Sequence, residues 1–152
     1  MISLNGYKII LASGSPRRRD FLESLNIPFE VQTFSVDETF PPVLQGKEIA
    51  EYIVQQKSNP FNKLIKARQI IITADTIVWC DNRYLGKPQD KLTAKEMLSF
   101  LSGKSHEVIT SVGFLTSQKF EILTETTRVY FKDLSDREID YYIETASPLD
   151  KA

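Results

Sequence analysis

Ile70-Ile71-Ile72-Thr73-Ala74-Asp75-Thr76-Ile77-Val78-Trp79 is an apolar, β-branched run with one carboxylate in its middle. The run reads as a buried strand, and an unpaired charge inside such a strand is expensive to bury. Asp75 therefore calls for compensation by a metal ion or by cationic side chains. Cations stand at three well-separated places: Arg17, Arg18 and Arg19; Lys57; and Lys87. A carboxylate facing several fixed cations is the outline of a site that handles a phosphate chain with a divalent metal. The other reading makes Asp75 a structural carboxylate that accepts main-chain hydrogen bonds at a bulge.

Working back from that strand, Tyr7 to Ala12 is a short buried strand. Ser13-Gly14-Ser15-Pro16 then turns into a helix with Ser15 as cap, Pro16 at its first position and Phe21, Leu22 and Leu25 as its apolar stripe. Asn26-Ile27-Pro28 ends the helix, and Phe29 to Phe34 alternates as a half-buried strand does. Ile49, Tyr52 and Ile53 have the spacing of an amphipathic helix that runs to about Lys57, before Asn59-Pro60 interrupts it. Working forward, Cys80-Asp81-Asn82-Arg83 is a tight turn into Tyr84-Leu85-Gly86-Lys87-Pro88. Thr93 with Glu96 forms a capping-box pattern ahead of Met97, Leu98 and Leu101, and Gly103 supplies the stop. His106 to Leu115 and Phe120 to Phe131 form a predicted hairpin through Thr116-Ser117-Gln118-Lys119. Ser135 with Glu138 repeats the capping box before Ile139, Tyr142 and Ile143. This order predicts a mixed α/β sheet with helices packed on it.

At 152 residues the chain fits one domain with a core that needs neither disulfides nor structural metal. Nineteen basic against twenty acidic side chains leave a formal net charge of -1, which provides no broad field for a nucleic-acid backbone or an anionic membrane. Any cationic function is therefore local. A single cysteine, Cys80, and a single histidine, His106, exclude an intramolecular disulfide and a soft-ligand zinc cluster. A reducing cytoplasm is the expected location. The first residues lack a basic stretch followed by a long apolar one, and no run approaches membrane-spanning length.

Three arginines in the first turn of a helix face the positive end of its dipole, which disfavours each by roughly 0.3–1 kcal/mol. A bound polyanion reverses that sign, because backbone N–H groups, dipole and guanidinium forks then all face it. Ser13 and Gly14 suit the polyanion as a hydroxyl donor and a close backbone approach; the alternative is a solvated basic turn. Lys57 continues the apolar face of its helix, so it either snorkels from the core edge or points into a cleft. Lys87, held between Gly86 and Pro88, is either positioned towards Asp75 by hairpin geometry or an ordinary turn lysine. Asp37 and Glu38 are either oxygen ligands for a hard metal or an exposed acidic loop. His106 lacks a serine or cysteine partner and reads as structural, and Cys80 reads as a small buried side chain. The aromatics are spread through strands without the stacking platform of a single-strand binder.

Leu11-Ala12-Ser13-Gly14-Ser15-Pro16-Arg17-Arg18, Ala74-Asp75-Thr76, Leu85-Gly86-Lys87-Pro88, Leu101-Ser102-Gly103-Lys104-Ser105-His106 and Pro148-Leu149-Asp150-Lys151-Ala152 together resemble the Maf family. That family comprises nucleoside triphosphate pyrophosphatases also described as septum-formation inhibitors. The resemblance spans essentially the whole chain, with the motifs in family order. It implies an α/β fold in which an elongated mixed β-sheet is flanked by helices with a central cleft, related to the inosine triphosphate pyrophosphatases. It further implies hydrolysis of a nucleoside triphosphate to its monophosphate and pyrophosphate, dependent on Mg²⁺ or Mn²⁺.

Matched motif by motif, Ser13, Arg17 and Arg18 fall on the family's phosphate-binding loop, and Lys57 and Lys87 on its two site lysines. Glu38 falls on its acidic loop position, and Asp75 on the carboxylate assigned as catalytic and metal-holding. Thr76 resembles the branch acting on dTTP and UTP. The expected partners are the triphosphate and a second copy of the chain in a homodimer, without nucleic acid or membrane. One departure stands out: the family continues past Asp-Lys-Ala with a Gly-Ala-Tyr-Gly-Ile-Gln motif, whereas this sequence ends at Ala152. The expectation is a single Maf-like domain, residues 1–152, without the family's C-terminal segment. Two rival readings follow, a catalytically impaired nucleotide-binding regulator of the same fold and a small RNA-binding module using the arginine turn.

Overall fold

The computed structural model describes residues 4–146, so the Pro148-Leu149-Asp150-Lys151-Ala152 motif lies outside the described residues. Among the described residues six strands form one mixed sheet in the order β2-β1-β3-β5-β6, with β4 paired to β3. Strand β1 (Lys8–Leu11), helix α1 (Pro16–Ser24), β2 (Phe29–Val31), α2 (Lys47–Ser58) and a 3-10 turn (Asn59–Lys63) lead into β3 (Gln69–Cys80). After it come β4 (Arg83–Leu85), α3 (Lys91–Leu101), β5 (Ser105–Leu115), β6 (Phe120–Tyr130) and α4 (Asp136–Ala146). No helix among the described residues is long and apolar enough to cross a membrane.

Strand β1 lies parallel to both its neighbours, with Ile9 opposite Phe29 on one side and Ile70 on the other. A parallel strand flanked on both sides is buried, and Ile9, Ile10 and Leu11 are each at most 5% exposed. The chain leaves β1 towards β2 and later returns to β3 on the other side, which makes β1/β3 a topological switch point. Loops at the carboxyl ends of such strands diverge and leave room for a ligand. Leu11 is level with Ile72, and Ala12 N–H donates to Ile72 O at 2.8 Å, so the loop from Ser13 begins beside Thr73 and Ala74.

Contacts divide the chain into two compact units. The first holds the described residues up to Asp75 together with Ser111–Thr124. Ile10, Phe61, Ile71 and Leu115 form a core there, with Ala12, Ile65 and Phe120 packed against it. Phe34 meets Phe61 edge-on, with ring centroids 5.0 Å apart. Helix α2 contributes Ile49, Ala50, Ile53 and Val54, all at most 2% exposed, as its amphipathic spacing requires. The second unit holds Thr76–Thr110 and the described residues from Glu125 onward. Val78, Cys80, Leu85 and Leu101 form one cluster in it, and Ala94, Ile139 and Ile143 another.

Several local expectations need correction. The α1 stripe reduces to Leu22, because Phe21 is 62% and Leu25 37% exposed. Ser15 occupies the cap position without a side-chain capping bond; its N–H donates to Ser13 Oγ at 3.1 Å instead. Strand β2 stops at Val31, and Phe34 turns away to pack on Phe61. Helix α3 starts earlier than the Thr93–Glu96 pattern indicates, because the Asp90 carboxylate accepts from Thr93 N–H at 2.7 Å. The Ser135–Glu138 box forms as expected, with Glu138 N–H donating to Ser135 Oγ at 3.1 Å and Ser135 Oγ 3.2 Å from Glu138 Oε1. Asp81 and Asn82 both take positive φ, 51° and 58°, which closes the β3–β4 hairpin with Cys80 opposite Arg83.

Candidate active site

Asp75 sits inside β3 where the strand passes the end of β1, and its side chain is only 15% exposed. Burial pushes its carboxyl above the ordinary aspartate range. Lys57 opposes that shift by charge and hydrogen bond, Glu38 adds to it by repulsion, and Arg18 opposes it more weakly. Lys57, in the last turn of α2, places its Nζ 3.2 Å from Asp75 Oδ1, 3.0 Å from Glu38 Oε1 and 3.2 Å from the Ala74 carbonyl. Its side chain is 19% exposed, so this lysine points into the molecule and is fixed by three oxygens. An ammonium has three donors, and here each finds an acceptor.

Of the three consecutive arginines, Arg18 is the least exposed and turns inward. Its Nη1 donates to Ala74 O at 3.0 Å and lies 3.3 Å from Ser13 Oγ, whereas Arg17 and Arg19 are exposed. Burial pulls the Arg18 pKa below its usual value, against the stabilising charges of Asp75 and Glu38. A guanidinium nevertheless stays protonated in any protein. Ser13 Oγ, 9% exposed as a residue, thus gathers the Ser15 N–H and the Arg18 guanidinium at the carboxyl end of β1. Glu38 is the exposed member, reaching Lys57 from the loop after β2 with 57% of its side chain accessible. Asp37 does not join it: its Oδ1 accepts from Thr39 N–H at 2.9 Å, an Asx turn that holds its carboxyl below the usual range.

The structure therefore brings Ser13, Arg18, Glu38, Lys57 and Asp75 together within the first unit. Thr76 and Lys87 belong to the second. The Thr76 hydroxyl is 3.0 Å from that of Thr110, and Lys87 is exposed on the loop between β4 and α3. His106 is 5% exposed, edge-on to Phe131 at 4.8 Å, and burial lowers its pKa, so it is neutral at pH 7. Cys80 is buried with its thiol pushed up by desolvation, the opposite of what a nucleophile needs. The sequence reading missed the Ala74 carbonyl, which accepts from both Arg18 and Lys57. No residue-type pattern signals a backbone acceptor.

Residues 8–152 match the family model described as Maf-like protein, and the chain belongs to the Maf family. It is 48% identical over 149 residues to a dTTP/UTP pyrophosphatase of Flavobacterium johnsoniae, covering 98% of this chain and 77% of that one. It is 46% identical over 149 residues to the protein of the same name from Christiangramia forsetii, covering 98% of this chain and 76% of the relative. The solved structure of the Staphylococcus aureus Ham1 protein aligns with a TM-score of 0.53 at 14% identity, over 81% of this chain and 71% of that one. The last likeness concerns the fold alone.

Proposed function

We propose that this chain is a nucleoside triphosphate pyrophosphatase that converts dTTP, UTP and related nucleotides to the monophosphate and pyrophosphate, serving to cleanse the nucleotide pool. The observation that carries the reading is the Lys57 ammonium held between Glu38 and Asp75, with the Arg18 guanidinium on the adjoining carbonyl. Two relatives named dTTP/UTP pyrophosphatases, matched over nearly all of this chain, support the substrate class. Cytoplasmic location and homodimer formation are part of the proposal.

A divalent metal, Mg²⁺ or Mn²⁺, fits the acidic residues present. Glu38 and Asp75 already converge on one cation, and Mg²⁺ is commonly held by one or two carboxylates completed by substrate phosphates. Among the described residues no group of three or more His, Cys, Asp or Glu side chains is placed to hold a metal by itself, which leaves phosphate oxygens to complete the shell. Such a metal, when bound, supplies charge neutralisation at the phosphate oxygens and a more acidic water.

The chain's own residues do the rest. Lys57 occupies Asp75 Oδ1 and leaves Oδ2 to take the proton of a water attacking the α-phosphorus. The bond from that phosphorus to the bridging oxygen breaks, and pyrophosphate leaves with the bonding electrons. A carboxylate accepts a proton from the attacking water only in its ionised form, and the Lys57 ammonium favours that form. Ser13, Arg17 and Arg18 offer donors to the phosphate chain and Lys57 adds positive charge beside it, so positioning and electrostatics carry the rate without a covalent intermediate. Thr76 and Lys87 are assigned to substrate binding by their motif positions.

The deciding experiment incubates the chain with a panel of triphosphates and Mn²⁺ or Mg²⁺ and measures pyrophosphate and monophosphate. Equimolar release of both from dTTP and UTP is expected. Nucleotide-dependent thermal stabilisation without product would overturn the catalytic reading in favour of a nucleotide-binding regulator.

A further inference from the structure

Lys57 is the next-to-last residue of α2, just before the chain tightens into the 3-10 turn Asn59–Lys63. Its long side chain is useful only if its root is held still. The following residue, Ser58, is 3% exposed, and its hydroxyl donates to Val54 O at 3.0 Å and lies 2.8 Å from Thr73 Oγ1. Thr73 is fully buried and stands two residues before Asp75 on β3, so both side chains leave the strand on the same face. Thr73 Oγ1 is also 3.5 Å from Val54 O. Two hydroxyl protons thus satisfy a closed triangle of two hydroxyls and one carbonyl. The shorter distances favour Ser58 donating to Val54 O and Thr73 donating to Ser58.

Space for this meeting is kept by Gly113 of β5. A Cβ there would stand 2.6 Å from Thr73 Oγ1 and 2.6 Å from Val54 Cγ1. Stability alone gives little reason for two buried hydroxyls, since apolar groups of the same shape in both places are nearly neutral or stabilising. Direction is what hydroxyls add: the pair fixes one register of helix on strand, and the residues adjoining it are Lys57 and, two positions on, Asp75.

We propose that the Ser58–Thr73 hydroxyl pair is a positioning device that clamps the last turn of α2 to β3 and so sets the reach of Lys57 Nζ to Asp75. The proposal rests on the catalytic reading of Asp75 for its effect on rate, but the clamp itself is read without turnover.

The test compares Thr73→Val, which keeps shape and removes the hydroxyl, with Thr73→Ser, which keeps the hydroxyl, and with Ser58→Ala as a second route. In Thr73→Val and Ser58→Ala, kcat for dTTP is expected to fall about 10- to 100-fold with KM within about twofold, the size of loss that a displacement near 1 Å produces. The ¹⁵N-detected signal of the Lys57 ammonium, protected while three oxygens hold it, should broaden in both variants and return in Thr73→Ser together with kcat. An unchanged Lys57 signal in folded Thr73→Val and Ser58→Ala overturns the proposal, as does a Thr73→Ser variant that restores neither signal nor rate. Full activity in Asp75→Asn would sink the catalytic reading instead, and the Lys57 signal would still decide the clamp.

Discussion

Asp75 and Lys57 meet at 3.2 Å with their side chains only 15% and 19% exposed, one from the middle of a strand and the other from the end of a helix. Burial makes the carboxylate costly, and the ammonium returns part of that cost. Because the pair is incompletely shielded from water, its energetics lie between those of a surface bridge and a fully buried one.

Asp75→Asn keeps the shape of the side chain and removes its basicity. Pyrophosphate release from dTTP should fall at least ~100-fold, the usual contribution of a general base. Circular dichroism and the thermal midpoint should stay close to wild type. Wild-type turnover in a folded variant would remove Asp75 from the mechanism.

The pH dependence has a definite sign. Asp75 is raised above its reference value of 3.8, so the native state holds this proton more tightly than the unfolded chain does. Its contribution to stability is therefore fully present below about the unfolded value and is lost as pH rises through the folded value. Urea titrations of wild type and Asp75→Asn between acid and neutral pH should show the wild type losing stability relative to the variant across that window. The acid limb of kcat/KM should disappear with Asp75→Asn. A difference between the two proteins that does not vary with pH would contradict the shift.

Lys57→Met leaves the Asp75 carboxylate half-compensated. With the partial exposure discounted, about 2 kcal/mol of stability should be lost at pH 7. The double variant Lys57→Met with Asp75→Asn should recover much of it, since both partners are then gone. Additive losses in the double-mutant cycle would mean that the two side chains do not interact.

Arg18→Ala should raise KM for the triphosphate by roughly tenfold or more, the worth of a charge-assisted hydrogen bond. Arg19→Ala, one residue on but exposed, should change KM far less. Equal effects of the two would argue for a diffuse basic turn without a dedicated guanidinium.

Gly113→Ala puts a methyl group 2.6 Å from Thr73 Oγ1 and Val54 Cγ1 and 2.8 Å from Phe120. Overpacking of this kind costs about 1–3 kcal/mol, to be read as a lowered urea midpoint with unchanged slope.

The motifs made Ser13, Arg18, Glu38, Lys57 and Asp75 candidates, and the structure gathers those five in one unit. Composition and spacing did not separate Arg18 from Arg17 and Arg19, because three consecutive helical residues point in three directions and only the packing of α1 decides which faces the sheet. The open choice for Lys57 was settled by the end of α2, where Glu38, Asp75 and Ala74 O converge on its ammonium. The shift of the α3 start to Asp90 has a local cause: an Asp side chain captures the Thr93 N–H before Thr93 can act as a cap. Thr73 carried no signal of its own beyond lying two residues from Asp75 on a strand.

What the amino-acid order determined here is what depends on near neighbours: strand and helix periods, the Asp81-Asn82 turn, the capping box at Ser135, and the demand that a carboxylate among isoleucines be compensated. Which cations answer that demand was decided only in three dimensions. Arg18 reaches the Ala74 carbonyl across 56 residues of sequence and Lys57 reaches Asp75 across 18. Separations of that length are bridged by the parallel register of β1 on β3 and by the point at which α2 stops, and neither is written in any local period.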